Sequence, residues 1–107
     1  MSTFDKREDS FERKFAHDEE LRFKAEARRN KLLGLWAAGL LGLSGAEAQE
    51  YAKSVVMSDF EEAGDHDVFR KVFGDLQAAS VDQSEHQVRR TMEELMAEAI
   101  SQIKTEA

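Results

Sequence analysis

Residues 27–48, "ARRNKLLGLWAAGLLGLSGAEA", decide how this chain of 107 residues is read. A basic flank, twelve apolar or glycine residues and then small residues imitate a secretory signal. Position argues against that reading, because about thirty highly charged residues come first. The run is also too short to cross a bilayer, which takes roughly twenty apolar residues. It therefore reads as a buried core helix. The chain has no proline, only six glycines, and much Ala, Glu, Leu, Lys and Arg, so helices are expected from end to end.

One domain fits this length, with room for an appendage. A chain of this size buries roughly two thirds of the surface its unfolded form exposes, so one real core is possible. The absence of cysteine excludes a disulfide framework, a zinc–thiolate site and a thiol nucleophile. The net charge of −7 is unevenly placed: residues 1–31 carry nine Lys/Arg against eight Asp/Glu, and residues 32–107 carry six against fourteen. Most of the molecule would repel phosphates, so no nucleic-acid partner is expected.

Faces follow from a turn of about 100° per residue. Upstream of the apolar run, Leu21, Ala25, Leu32, Leu35, Trp36 and Leu43 form one stripe of a helix over about 19–42. Asp18 can cap it, Glu19 and Glu20 suit its first turn, and Gly42 is placed to end it. Ser44 and Glu47 form a capping box that starts a helix of about 45–62, with Ala48, Tyr51, Ala52, Val55, Val56 and Phe60 facing inward. Gly64 ends that helix. Asp65 or Asp67 caps a short helix with Val68, Phe69, Val72, Phe73 and Leu76 on its face. Asp82 and Glu85 start a last helix of about 83–104, presenting Val88, Met92, Leu95, Met96, Ala99 and Ile103. The fold class is all-α, a four-helix antiparallel bundle joined by short turns.

The front of the chain, "STFDKREDSFERKF" (2–15), is highly charged yet carries Phe4, Phe11 and Phe15 within about 40° of one another on a helix. This ring face is centred roughly 90° from the Leu21–Leu43 stripe, with "HDEE" at the change. One straight helix could not turn both faces to one core. Two readings stay open: the rings pack back on the bundle across a bend, or they anchor the segment in a partner's groove. Burying three rings cannot by itself offset the entropy of ordering the segment, so a partner would have to enclose it. The isolated helix is short enough to fray when free.

Chemistry is sparse. His66 sits between two carboxylates in a turn and reads as part of a helix start, His17 as a surface residue, and His86 has no partner that spacing reveals. The Glu-x-x-His signature of di-iron bundles is absent, and "GLWAAGLLGLSG" lacks the Lys-Ser/Thr of a phosphate loop. No nucleophile motif occurs, so no enzyme, metal site or tightly held cofactor is expected. The cluster Lys24, Arg28, Arg29 and Lys31 is either a helix face paired with the bundle's own acids or a weak site for the phosphates of ATP or ADP. Phe23, about 160° from Leu21, either packs under the N-terminal segment or is an exposed anchor.

The long run "TFDKREDSFERKFAHDEELRFKAEARRNKLLGLWAA", with "EYAKSVV", "DFEEAGDHDVFRKV" and "DL" further on, resembles the zeta-type ATPase inhibitor subunit of alpha-proteobacterial F-type ATP synthases. The resemblance covers the whole chain. It implies a mobile, partly helical N-terminal arm (1–17) on a four-helix bundle (18–107). It also implies that the arm inserts at a catalytic alpha/beta interface beside the gamma subunit and blocks rotation in the hydrolysis direction. Phe4, Asp5, Arg7, Glu8, Phe11, Glu12, Lys14 and Phe15 stand where the family's inhibitory pattern stands. The family would place the protein in the cytoplasm, peripheral to the inner membrane through the ATP synthase, without inserting in the bilayer, and as a monomer when free. Weak nucleotide binding in some members keeps a nucleotide-sensing bundle as the alternative, and a helical adaptor for another partner as a third reading. Two departures, Gly39-Leu40 where the family commonly has Glu-Lys and Ala63 where it commonly has Pro, bear on bundle stability more than on inhibition. Gly39 should cost about 1 kcal/mol of helix stability relative to Ala.

Overall fold

The computed structural model describes residues 18–60 and 64–106. Within them lie four helices and no strand: α1 (Glu19–Leu40), α2 (Gly45–Ser58), α3 (His66–Ala78) and α4 (Glu85–Glu106). The expected arm, with Phe4, Asp5, Arg7, Glu8, Phe11, Glu12, Lys14 and Phe15, lies outside the described residues.

α1 starts as its sequence asks. Asp18 is extended, and its carboxylate accepts from the backbone N–H groups of Glu20 at 3.0 Å and Leu21 at 3.2 Å. These are two of the donors that a helix start leaves without partners. At the other end Gly42 adopts φ +79°, Leu43 N donates to Ala38 O at 2.9 Å and Gly42 N donates to Gly39 O at 3.3 Å. That paired closure needs a left-handed residue, which glycine supplies without steric cost.

Two starts differ from the sequence reading. Ser44 occupies the N-cap of α2, but its side chain makes no capping bond. The reciprocal box forms instead at the head of α4, where Gln87 N donates to Ser84 Oγ at 3.1 Å and Ser84 N to Gln87 Oε1 at 2.8 Å. Ser84-x-x-Gln87 lies two residues beyond Asp82-x-x-Glu85 and wins because it satisfies donors in both directions. α2 also stops at Ser58, short of 62, in a turn tightened by two i→i−3 bonds of 3.3 Å, Asp59 N to Val56 O and Phe60 N to Met57 O.

Named contacts fix the directions of the helices. Gly34 lies against Ala52 and Val55, and Phe23 near the start of α1 meets Phe60 just past α2, so α1 and α2 run antiparallel. Arg28 reaches Gln102 and Glu106 near the end of α4, and Ala25 packs in one cluster with Ile103, while Leu33 and Ala37 share the main core with Val88 and Met92. α1 and α4 are therefore antiparallel too. Tyr51 Oη donates to Asp75 Oδ2 at 2.8 Å, joining α2 to α3. The short α3 meets α4 near its own start, through Arg89.

The core seam of α1 is not the expected one. Of the expected stripe Ala25 is buried, whereas Leu21, Leu32, Leu35, Trp36 and Leu43 are half-buried; Leu33, Ala37 and Ala38 are buried instead, with Arg29, Asn30 and Gly34. Small residues win the inner face because α2 comes close there: a Cβ on Gly34 would stand 2.5 Å from Ala52 Cα. The larger leucines and Trp36 fill the shoulders of the contact. The expected faces of α3 and α4 hold, with Val68, Phe69, Val72, Leu76, Val88, Met92, Ala99 and Ile103 all buried.

Candidate functional site

Of the exposed large apolar side chains among the described residues, Phe23, Leu40, Met57 and Phe60, the two aromatic ones lie together near the beginning of α1. Phe23 is 57% exposed and Phe60 64%, and their ring centroids are 6.3 Å apart. Beside them runs a cleft of about 700 Å³. α1 supplies Leu21, Phe23, Lys24, Ala27, Arg28 and Lys31; Val56 from α2 and Ile103 and Glu106 from α4 complete it. Ala27, with a single methyl, leaves the space that a larger residue would fill.

Lys24, Arg28 and Lys31 thus share one cleft, and Arg29 does not. Lys24 Nζ is 3.8 Å from Glu20 Oε1 on its own helix. Arg28 donates to Gln102 Oε1 at 2.8 Å and to Glu106 Oε2 at 3.0 Å. The hydrogen bond and charge of Glu106 hold the Arg28 guanidinium above its ordinary pKa, and the same bond holds the Glu106 carboxyl below its own. Arg29 is turned to the other side of α1, where it is 5% exposed. There its Nε donates to Asn30 Oδ1 at 2.6 Å and its Nη1 lies 4.0 Å from Asp65 Oδ2.

Arg29 belongs to a buried polar group at the junction of α1, α2 and α3. Asn30, Ser58 and Asp67 are buried beside it. Asn30 Nδ2 and Asp59 Oδ1 make no hydrogen bond of good geometry. Burial pushes the Asp59 carboxyl up; the Asn30 amide and the Arg29 charge pull the other way, while Asp67 and Glu26 add to the rise. Arg89 closes this end of the bundle. Its Nη1 donates to Asp65 Oδ1 at 3.0 Å, its Nη2 lies 3.1 Å from His66 Nδ1, and its guanidinium lies 4.2 Å over the Phe69 ring. Asp65 stands at the N-cap of α3 but makes no capping bond, its carboxylate being taken by Arg89.

Sequence reasoning put Phe60 on the inner face of α2. The helix ends two residues earlier, so a wheel position has no meaning there. Phe23, left open, is exposed. No spacing signal joined the two, because Phe60 held a place in the expected α2 stripe and Phe23 held none. No helix among the described residues is long and apolar enough to cross a membrane.

These features define a small helical bundle with an apolar, basic-rimmed cleft at the point where its N-terminal segment departs. The profile of the ATPase inhibitor subunit zeta family matches residues 1–102, and the chain belongs to that family. The family is regulatory and non-catalytic, so this is an inhibitory subunit and not an enzyme. A protein solved by solution NMR is 55% identical to it, covering 81% of this chain and 99% of its own, with a TM-score of 0.72. No curated protein matches.

Proposed function

We propose that residues 1–17 are the inhibitory arm and that they act by entering the catalytic alpha/beta interface of F1 beside the gamma subunit. Entry there blocks rotation in the hydrolysis direction. One observation carries this reading: the family match begins at residue 1, so the segment before α1 is part of what defines the family. The Asp18 cap supports it, because α1 starts there on its own terms. In this reading Phe4, Phe11 and Phe15 are the apolar anchors, and Asp5, Arg7, Glu8, Glu12 and Lys14 pair with charges lining the interface. The partners are the alpha, beta and gamma subunits. The protein works as a monomer in the cytoplasm, held at the inner membrane only through the ATP synthase.

The test is inhibition of ATP hydrolysis by purified F1 with Phe11→Ala and Phe15→Ala. Each should weaken inhibition at least tenfold while leaving the melting temperature within about 2 °C of the parent. A large fall in melting temperature would show instead that the rings belong to the bundle core.

A second reading rests on the cleft. Its volume lies in the range of small-molecule sites, and Lys24, Arg28 and Lys31 could meet the phosphates of ATP or ADP. Arg29, turned away, has no part in it. Amide shifts at Lys24, Ala27 and Lys31 on titration with nucleotide would support it; none at millimolar nucleotide would remove it.

A further inference from the structure

We propose that the cleft beside Phe23 and Phe60 is one end of a groove on the α1–α2 face of the bundle, and that this groove takes an acidic, apolar-faced helix of F1. The inference rests on reading the protein as an inhibitor that acts on F1, and it adds a second contact. The groove holds the inhibitor on its target, and the block itself stays with the segment before α1.

Length is the first argument. A second cavity, of about 370 Å³, adjoins the cleft, and Lys31 and Val56 line both. α1 accounts for about 15 Å of the run, from Leu21 to Lys31. The second cavity carries it further along α2, to Ala52 and Gln49. Three turns of a helix measure about 16 Å, so the groove suits a helix lying lengthwise more than a compact ligand.

The lining is the second argument. Leu21, Ala27, Val56, Ala52 and Ile103 make an apolar floor, and the exposed pair Phe23 and Phe60 stands at one end. An apolar strip rimmed by charge marks an interaction surface, where a scatter of single exposed residues would not. Apolar side chains three and four residues apart on an incoming helix would follow this floor.

Charge gives the chemistry of the partner. The chain carries fifteen Lys/Arg against twenty-two Asp/Glu. The groove reverses that balance, with Lys24, Arg28, Lys31 and Lys53 against Glu50 and Glu106. Lys24 and Arg28 already meet Glu20 and Glu106. Neither Lys31 nor Lys53 forms an ion pair with a described residue, which leaves two cations along the groove for carboxylates of a partner. A second copy offers no matching helix among the described residues. The acidic outer face of α4, with Glu93, Glu94 and Glu98, exposes no large apolar side chain.

The test is photo-cross-linking of the full-length protein to purified F1, with p-benzoylphenylalanine in place of Phe23, an exposed ring whose exchange leaves the core untouched. Peptide mapping should find the cross-link on an F1 subunit, in a helix with large apolar residues at three- and four-residue steps and Asp or Glu on its flanks. ATP hydrolysis is followed in parallel. Phe23→Ala/Phe60→Ala should raise the concentration for half-inhibition about tenfold, with full inhibition still reached at saturation. Lys31→Glu/Lys53→Glu should raise it roughly threefold, and more at low salt than at high. Melting temperatures within about 2 °C of the parent show that both variants are folded. No cross-link to F1, a cross-link confined to the chain itself or to a second copy, a cross-link to a basic or extended F1 segment, or an unchanged half-inhibition concentration in either variant would overturn the proposal. The two readings fail separately. A groove cross-link from a protein whose inhibition survives Phe11→Ala/Phe15→Ala overturns only the effector reading, and inhibition lost in that variant without any groove cross-link in the parent overturns only this one.

Discussion

Gly34 and Gly39 lie five residues apart on α1 and should answer oppositely to the same change. A methyl on Gly34 would press on the α2 backbone, 2.5 Å from Ala52 Cα, whereas nothing lies within 4 Å of one on Gly39. Gly39→Ala should stabilise by about 0.5–1 kcal/mol through helix propensity alone. Gly34→Ala gains the same propensity but forces two helices apart, so a net loss of about 1–3 kcal/mol is expected. Denaturant unfolding of the two variants checks both signs. Asp59 supplies a prediction in pH. Its folded carboxyl is shifted up, chiefly by burial, so it favours folding at low pH and loses that contribution as pH rises through the folded value. The ionised group is thus a cost at neutral pH. Asp59→Asn should raise stability at pH 7 by about 0.5 kcal/mol, an amount typical of partly exposed ionic groups. The gain should vanish below about pH 4, where the parent carboxyl is protonated in both states. Thermal unfolding from about pH 3 to 7 measures it. The propensity cost of Gly39 was legible beforehand; the roles of Gly34 and Asp59 were not, since both depend on what another helix brings alongside.

Much of the element scale was legible because caps and faces are local chemistry. Asp18 with Glu19 and Glu20, Gly42, and the apolar faces of α3 and α4 could all be placed by spacing. The α1 face could not, because size decided it more than hydropathy. Where α2 closes on α1, Gly34, Ala37 and Ala38 go inward with Leu33, while Leu32, Leu35 and Trp36 stay at the edge. That changes one inference about the front of the chain. On the same 100° reckoning, Phe4, Phe11 and Phe15 share a face with Arg29 and Leu33, so their supposed offset from the core stripe does not stand. The extended, capping Asp18 marks where α1 begins, so the α1 wheel is reckoned from there. The end of α3 tests the cap rules directly. Ser80 adopts φ +60°, Ser80 N donates to Gln77 O at 3.0 Å and Val81 N to Leu76 O at 2.9 Å. This is the closure that Gly42 makes in α1, here with a side chain that resists it. Ser80→Gly should stabilise by about 1 kcal/mol, seen as a rise in denaturant midpoint at constant slope.

At the scale of the whole molecule, the described part is a bundle whose one exposed aromatic pair lies beside the departure point of the N-terminal segment. Family membership establishes inhibition of an ATPase. The division of labour between bundle and arm is the central claim. It is tested most directly by hydrolysis of ATP by purified F1 in the presence of the full-length protein or of a chain beginning at Asp18. Circular dichroism of the shortened chain confirms that its helices remain. The full-length protein should inhibit, and the shortened chain, still folded, should lose at least nine tenths of that inhibition at the same concentration. Equal inhibition by the two would contradict the account and move the effector surface onto the bundle itself.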